Sequence, residues 1–302
     1  MKRSEIKGSL ETAAAYACWG LLTIFWDLLA AVNSVCVLAH RIIWSMVFMA
    51  LYMTIFHKWP EVSTVLKEKK KMAICLVCGV LITINWGVYI YAVSSGHVLD
   101  ASMGYFIEPV LVAFMGFIVF RERPSAMERV TFVCAAAALV YMLVTTGTFP
   151  VLALVIAGSF AVYGAVKKKL EITPHASLFL ETLCMTPFAL AAVAYMEARG
   201  IGAGGVLHGA QFALLPVCGI VTSIPLLLFN TGVREIPYYL SGILMYINPT
   251  LQFLTGLLYF HEELDTARLV AFVIIWIGIL FTVWEKMKEM NRARGIAEGN
   301  HV

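Results

Sequence analysis

Charge is scarce in this chain. Asp, Glu, Lys and Arg make up 14% of its 302 residues, against about 25% in soluble domains. With 61% hydrophobic residues and a mean hydropathy of +0.84, it has too few polar groups to clothe a fold in water. The solvent is therefore mostly lipid. The phosphate-cradling pattern GxxxxGK[ST] is missing, which excludes ATP use by that loop. There is no HExxH, no Ser/His/Asp set and no pair of carboxylates on one helix face. His40, His97, His175 and His261 sit near the edges of apolar runs. These absences speak against an intramembrane enzyme. No ring of like charges suggests a channel within one chain. Connections are short, so no separate soluble domain and no nucleic-acid partner are expected.

Seven cysteines are present, mostly inside apolar runs. Cys75 and Cys78 form a CxxC, but within one run and without a second ligand pair. They read as small packing residues, so no metal and no cofactor are expected. Met1–Lys7 is basic, and the apolar run after it is long enough to span, so it reads as a retained first helix.

A spanning helix needs about 20 mostly apolar residues. Ten stretches qualify: Gly8–Trp26, Val35–Phe56, Met72–Val93, Ala101–Phe120, Arg129–Thr145, Pro150–Val166, Ser177–Met196, Phe212–Phe229, Tyr239–Phe260 and Ala267–Trp284. The basic stretch EVSTVLKEKKK, after the second, reads as a surface helix. ARGIGAGGVLHG, after the seventh, reads as a flexible glycine-rich loop. With both ends placed in the cytoplasm, 19 of the 22 Lys and Arg fall inside, as the positive-inside rule demands. Arg199 and Arg268 fall outside, and Arg41 lies within a span.

Part of the chain occurs twice. GYFIEPVLVAFMGFIVFRER (Gly104–Arg123) and LMYINPTLQFLTGLLYFHEE (Leu244–Glu263) align at an offset of 140 residues. Ile107 falls on Ile247, Pro109 on Pro249, Leu111 on Leu251, Gly116 on Gly256, Phe120 on Phe260, Glu122 on Glu262 and Phe132 on Phe272. Such self-similarity is the mark of duplication. Five spans per copy is an odd number, so the second copy must enter the membrane from the other side. The expected fold is an all-α polytopic membrane protein of ten transmembrane helices in two inverted five-helix repeats, 1–146 and 147–302. Inverted repeats suit a secondary transporter with a midplane site.

Polar residues inside spans need a reason, since a charge at mid-helix costs about 2.5–3.5 kcal/mol on insertion scales. Arg41 and Glu108 lie at a similar depth, about 10 Å below the outer surface at about 1.5 Å per residue. They are expected to pair or share a polar network, either fixing two helices or serving the solute. Glu181 is expected to reach the inner surface or the Lys167–Lys169 cluster. Under the same offset, Arg41 maps onto Glu181 and Glu108 onto Asn248. Asn85, Trp86 and Tyr89 lie near the middle of the third span, and Asn85 shares a face with Tyr89. Trp19, Trp44, Tyr105, Tyr163 and Tyr246 are further polar aromatics inside spans. They suit a pocket that stacks on organic solutes, or simply packing. Pro109, Pro187, Pro225 and Pro249 are candidate bending points.

HRIIWS (His40–Ser45), NWGVYIYAV (Asn85–Val93), ASMGYFIEP (Ala101–Pro109), SFAVYG (Ser159–Gly164), ET (Glu181–Thr182), VTSIPLLLF (Val221–Phe229) and YINPT (Tyr246–Thr250) run in order through the chain. On these runs it resembles the RarD family of permeases, in the EamA branch of the drug/metabolite transporter superfamily. Glu108 departs from the family pattern, where asparagine is usual. The resemblance implies a bacterial inner-membrane permease with a central cavity lined by spans one to four and six to nine. It also implies a small-molecule substrate such as an amino acid, metabolite or drug-like compound, often exported. Proton coupling through Glu108 or Glu181 stays open. Reporter enzymes fused to either end are expected to face the cytoplasm, and fusions reporting opposite sides would break the even span count.

Overall fold

The computed structural model describes residues 3–94, 98–147, 151–261 and 266–299. Lys2, His97, Pro150, Glu262 and Glu263 lie outside these, as do the side chains of Arg268, Lys286, Arg292 and Arg294. Among the described residues the chain forms α-helices and short 3-10 turns and no strand. The helices are α1 (Arg3–Asp27), α2 (Ser34–Ile55), α3 (Trp59–Lys67), α4 (Lys69–Ser94), α5 (Val98–Val119) and α6 (Ala126–Thr146), then α7 (Val151–Lys169), α8 (Pro174–Ala198), α9 (Leu214–Glu235), α10 (Tyr238–Met245), α11 (Ile247–Leu258) and α12 (Thr266–Gly299).

Six helical segments are long and apolar enough to cross a membrane: Ser34–Ile55, Lys69–Ala92, Ala126–Thr145, Val151–Lys169, Pro174–Gly205 and Gly209–Glu235. Gly104–Val119 and Leu269–Glu285 are shorter apolar helices. The protein is thus a multi-pass membrane protein. The expected ninth span, Tyr239–Phe260, is not one helix: it breaks at Tyr246 into α10 and α11. Pro249 loosens the helix at this point. It has no N–H to bond the Met245 carbonyl, and its ring crowds that oxygen. Pro109, Pro187 and Pro225 stay within continuous helices.

The 140-residue offset reappears in the architecture. Helices begin at Ser34 and Pro174, at Val98 and Tyr238, and at Ala126 and Thr266. α4 begins at Lys69, and a 3-10 turn leading into α9 begins at Gly209. Arg121 and His261, also 140 apart, share a left-handed φ of 53°. Local capping fixes several starts. Ser125 and Glu128 form a reciprocal capping box at α6, and the Asn33 side chain accepts from Val35 N–H at α2.

Packing is almost entirely between the halves. α1 packs on α9 and α11, and the matching helix α7 packs on α4 and α5. α2 packs on α9, and its match α8 on α4; α2 and α8, α5 and α10, and α6 and α12 pack on each other. Two matched glycines allow close crossings in both halves. A Cβ at Gly219 would lie 2.3 Å from the Trp44 carbonyl, and one at Gly79 would lie 2.9 Å from the Glu181 carbonyl.

The basic stretch is divided: its Glu61–Lys67 part lies in the short amphipathic helix α3, while Lys69–Lys71 open α4. Its Glu61 accepts from Thr173 at 2.5 Å and meets His175 Nε2 at 2.6 Å, tying α3 to the start of α8. Burial pushes the Glu61 carboxyl up, but the bonds from Thr173, Lys58 and His175 outweigh it and hold it at about 2. The glycine-rich connection is not featureless. It forms 3-10 turns at Ala203–Gly205 and Gly209–Ala213, with Ala203 and Leu207 buried.

Gly219→Ala should lower the melting temperature of the detergent-purified protein, because the new methyl meets backbone that cannot swing aside; overpacking of this kind costs about 1–3 kcal/mol. Gly158→Ala, with nothing within 4 Å of the added Cβ, should not.

Candidate functional site

The polar groups within the helices gather in two clusters and a strip between them. The first surrounds Arg41 on α2. Its guanidinium lies between two indoles, 4.4 Å from the Trp26 ring centre and 4.2 Å from that of Trp86. Its Nε–H donates to Thr222 Oγ1 at 3.2 Å. Trp26 comes from α1, Trp86 from α4 and Thr222 from α9, so three helices close on one cation. A desolvated cation over an aromatic face gains about 2 kcal/mol or more. Trp44 lies one turn further along α2, half-buried against the Leu29 and Cys218 cluster.

The second cluster surrounds Glu181 on α8. Lys167 Nζ meets its carboxylate at 2.5 Å, with the two side chains 0% and 1% exposed. Lys167 also donates to Ser177 Oγ at 2.6 Å, and Ser177 donates to Glu181 at 2.5 Å. Tyr163 O–H reaches both Glu181 and Asn230 at 3.3 Å. The expectation that Glu181 meets the Lys167–Lys169 cluster therefore holds through Lys167. Removing one member of such a buried pair strands the other charge, at about 3–5 kcal/mol.

Between the clusters runs the strip. Tyr89 and Tyr105 face each other with ring centres 6.0 Å apart. Tyr105 interacts with Gln252, whose amide donates to Asn248 Oδ1 at 2.8 Å. Glu108 is 8% exposed and lies within electrostatic range of Tyr16, Tyr105 and Tyr238. Trp19 sits in an aromatic stack with Tyr16, Phe160 and Phe229, at centroid separations of 5.7–5.9 Å.

The expected Arg41–Glu108 pair is not formed among the described residues. Equal depth says nothing about which way a side chain faces around its helix. α2 packs on α8 and α9, while α5 packs on α7 and α10, so the two residues face different neighbours. Asn85 is held structurally: its amide donates to the Ile156 carbonyl of α7 at 2.7 Å. Tyr246, 2% exposed, donates to the Phe106 carbonyl at 3.5 Å, at the break between α10 and α11.

Sequence reasoning passed over Trp26, Thr222, Ser177, Asn230 and Gln252, while it named Lys167 through the Lys167–Lys169 cluster; Lys167 also falls on Asp27 under the offset.

Two other features stand outside these groups. Cys36, His40 and Glu197 bring donor atoms within 4.8 Å of one another. The Cys36 thiol bonds the Ala203 backbone and Glu197 accepts from Gly204 N–H at 3.1 Å, so both anchor the Ala203–Gly205 turn. A groove of about 570 Å³ lies between α1, α10, α11 and α12, lined by Leu10, Leu244, Ile247, Leu251, Trp276 and Ile279. It shares only Tyr246 with the candidate residues above.

Comparison with known proteins agrees with this picture. The model of the EamA-like transporter family matches twice, over residues 6–144 and 148–284. The chain belongs to the EamA-like transporter family. Within EamA, similar proteins include Protein RarD of Streptomyces exfoliatus, 34% identical over 96% of this chain and 92% of that one. Protein RarD of Escherichia coli strain K12 is 32% identical over 95% and 97%. An uncharacterized transporter, YojE, of Bacillus subtilis strain 168 is 35% identical over 93% and 95%. The fold agrees with a solved crystal structure at a TM-score of 0.72 and 14% identity, covering 93% of this chain and 98% of the other. This EamA protein is thus a RarD-type membrane transporter of the drug/metabolite superfamily.

Arg41→Lys keeps the charge of the EamA chain but loses the flat face and the Nε–H donor. It is expected to destabilise the purified protein by about 1–2 kcal/mol, and Trp86→Leu by a similar amount, read from thermal unfolding. A lysine variant as stable as the parent would show that the stack carries no energy.

Proposed function

We propose that this protein is a secondary transporter that moves a small organic solute across the bacterial inner membrane by alternating access. The halves 1–146 and 147–302 are its two inverted five-helix units. The crossings are α1, α2, α4, α5 and α6, then α7, α8, α9, α10 with α11, and α12, which keeps both ends cytoplasmic. One observation carries the reading: helix starts recur at a 140-residue offset, and the packing pattern maps onto itself when the halves are exchanged. Two such units share a seam that each can open in turn.

The solute meets the strip between the two polar clusters. Tyr89 and Tyr105 offer rings, Gln252 and Asn248 offer amides, and Glu108 offers a carboxyl without an ion-pair partner among the described residues. Trp86, Trp19 and Arg41 stand at its border. Of Glu108 and Glu181, Glu108 is the one free to take up a proton during the cycle, because Glu181 is held by Lys167 and Ser177. Export of an amino acid, metabolite or drug-like compound is the direction the resemblance favours. A relative from Pseudomonas aeruginosa, 26% identical, is named Chloramphenicol-sensitive protein RarD, which makes chloramphenicol a first compound to try.

The test has two steps. A metabolite and drug panel is screened by thermal shift on the purified protein, where a ligand at about 100 times its Kd adds about 2.7 kcal/mol. Hits then enter counterflow in sealed vesicles without ATP. Accumulation of labelled compound against unlabelled, chemically unchanged, is expected, and Glu108→Gln should abolish any response to an imposed pH gradient. A modified product would mean an enzyme, and leak without counterflow a channel; either would overturn the proposal.

A further inference from the structure

The buried pair Lys167–Glu181 has a counterpart with its charges exchanged. Subtracting the 140-residue offset takes Lys167 to Asp27 and Glu181 to Arg41. Acid and base swap places, and the spacing of 14 residues is kept. In the second half the pair is made, at 2.5 Å and fully buried. In the first half no ion pair joins Asp27 and Arg41 among the described residues. Asp27 is exposed at the last residue of α1, and Arg41 is stacked between Trp26 and Trp86.

We propose that Asp27–Arg41 and Lys167–Glu181 are two gate pairs made in alternation, one at each end of the permeation seam. The proposal rests on the alternating-access reading above. The structure holds the state in which the Lys167–Glu181 gate is shut and the Asp27–Arg41 gate is released. In the opposite state each half takes the shape the other has here. Arg41 then leaves its indoles for Asp27, and Lys167 parts from Glu181.

Three physical arguments support this assignment. Asp27 ends a helix, where the macrodipole disfavours an acid; an acid there gains most from a cation that arrives to meet it. The exchange of sign follows the membrane's own asymmetry. A gate residue at a helix end is favoured as lysine on the cytoplasmic side and disfavoured as lysine outside, so the outer pair keeps its opposite charges with the acid at the helix end. Finally, the inner pair is backed by Ser177, Tyr163 and Asn230, whose offset positions are Val37, Thr23 and Ile90. The outer pair has no such support, which agrees with the inner gate being the one found closed.

Native cysteines provide the readout. Cys78 lies beside Glu181 and Cys218 beside Arg41, and both are buried. The other cysteines are replaced by alanine or serine, and the full-length protein in detergent is labelled with a small water-soluble maleimide. Peptide mass spectrometry follows each site separately. Labelling of Cys78 passes through the state with the inner gate open, so its rate follows that state's population. Lys167→Met should raise the Cys78 rate and lower that of Cys218. Asp27→Asn, at the far end and on the surface, should do the reverse, changing the ratio of the two rates by about 5-fold or more, the lower end for coupled sites. Asp27→Glu should behave as the parent.

If Asp27→Asn leaves the Cys78 rate unchanged or raises it, the gate assignment is wrong, whatever Lys167→Met does by loosening its surroundings. If the two cysteines never change in opposite directions in any variant, alternating access itself fails. Both asparagine and glutamate variants alter a surface side chain, and an unchanged melting temperature certifies the fold.

Discussion

In a membrane, a polar group with no partner inside the protein has no water to turn to. That constraint organises the whole chain, and many of the partners come from the opposite half. Tyr16 bonds Ser241, Thr23 bonds Thr255 and Arg41 bonds Thr222. Asn85 bonds the Ile156 carbonyl, and Thr131 bonds Thr282 and the Gly278 carbonyl. The Glu122 carboxylate receives the N–H groups of Tyr238 and Tyr239 at the start of α10, 2.7 and 3.0 Å away, where the helix dipole favours an anion. The Lys167–Glu181 cluster is satisfied within its own half, but neither half satisfies all of its buried polar groups alone. Two copies of one unit became a single fold by supplying each other's missing donors and acceptors.

Most of the architecture was legible in the sequence, because spans announce themselves by length and apolarity and the duplication by register. The offset read from Ile107, Pro109 and Gly116 returned as matched helix starts and as matched left-handed turns at Arg121 and His261. Side-chain partners were less legible. Depth along a helix follows from counting, but the direction a residue faces depends on the neighbour its helix packs on. So Arg41 was assigned to Glu108 and instead found Trp26, Trp86 and Thr222. The break at Tyr246 was also hidden, since Pro109 sits in the same pattern and leaves α5 whole. Asn85 illustrates a further limit. A mid-membrane amide advertises a need for a partner, and the Ile156 carbonyl, 71 residues away in the chain, met it.

The two halves are alike in backbone and unlike in side chain. Glycines 79 and 219 permit the same close crossing in both, yet the residues around them differ in charge and size. The likeness is one of helix order and crossing, and the difference one of which polar and aromatic groups line each half.

Phe106 and Tyr246 are copies of one ancestral position, and they touch through the Tyr246 hydroxyl and the Phe106 carbonyl. The contact lies at the break between α10 and α11, where backbone bonds from Tyr246 N–H to the Ile243 carbonyl and from Thr250 N–H to the Tyr246 carbonyl hold the two short helices together.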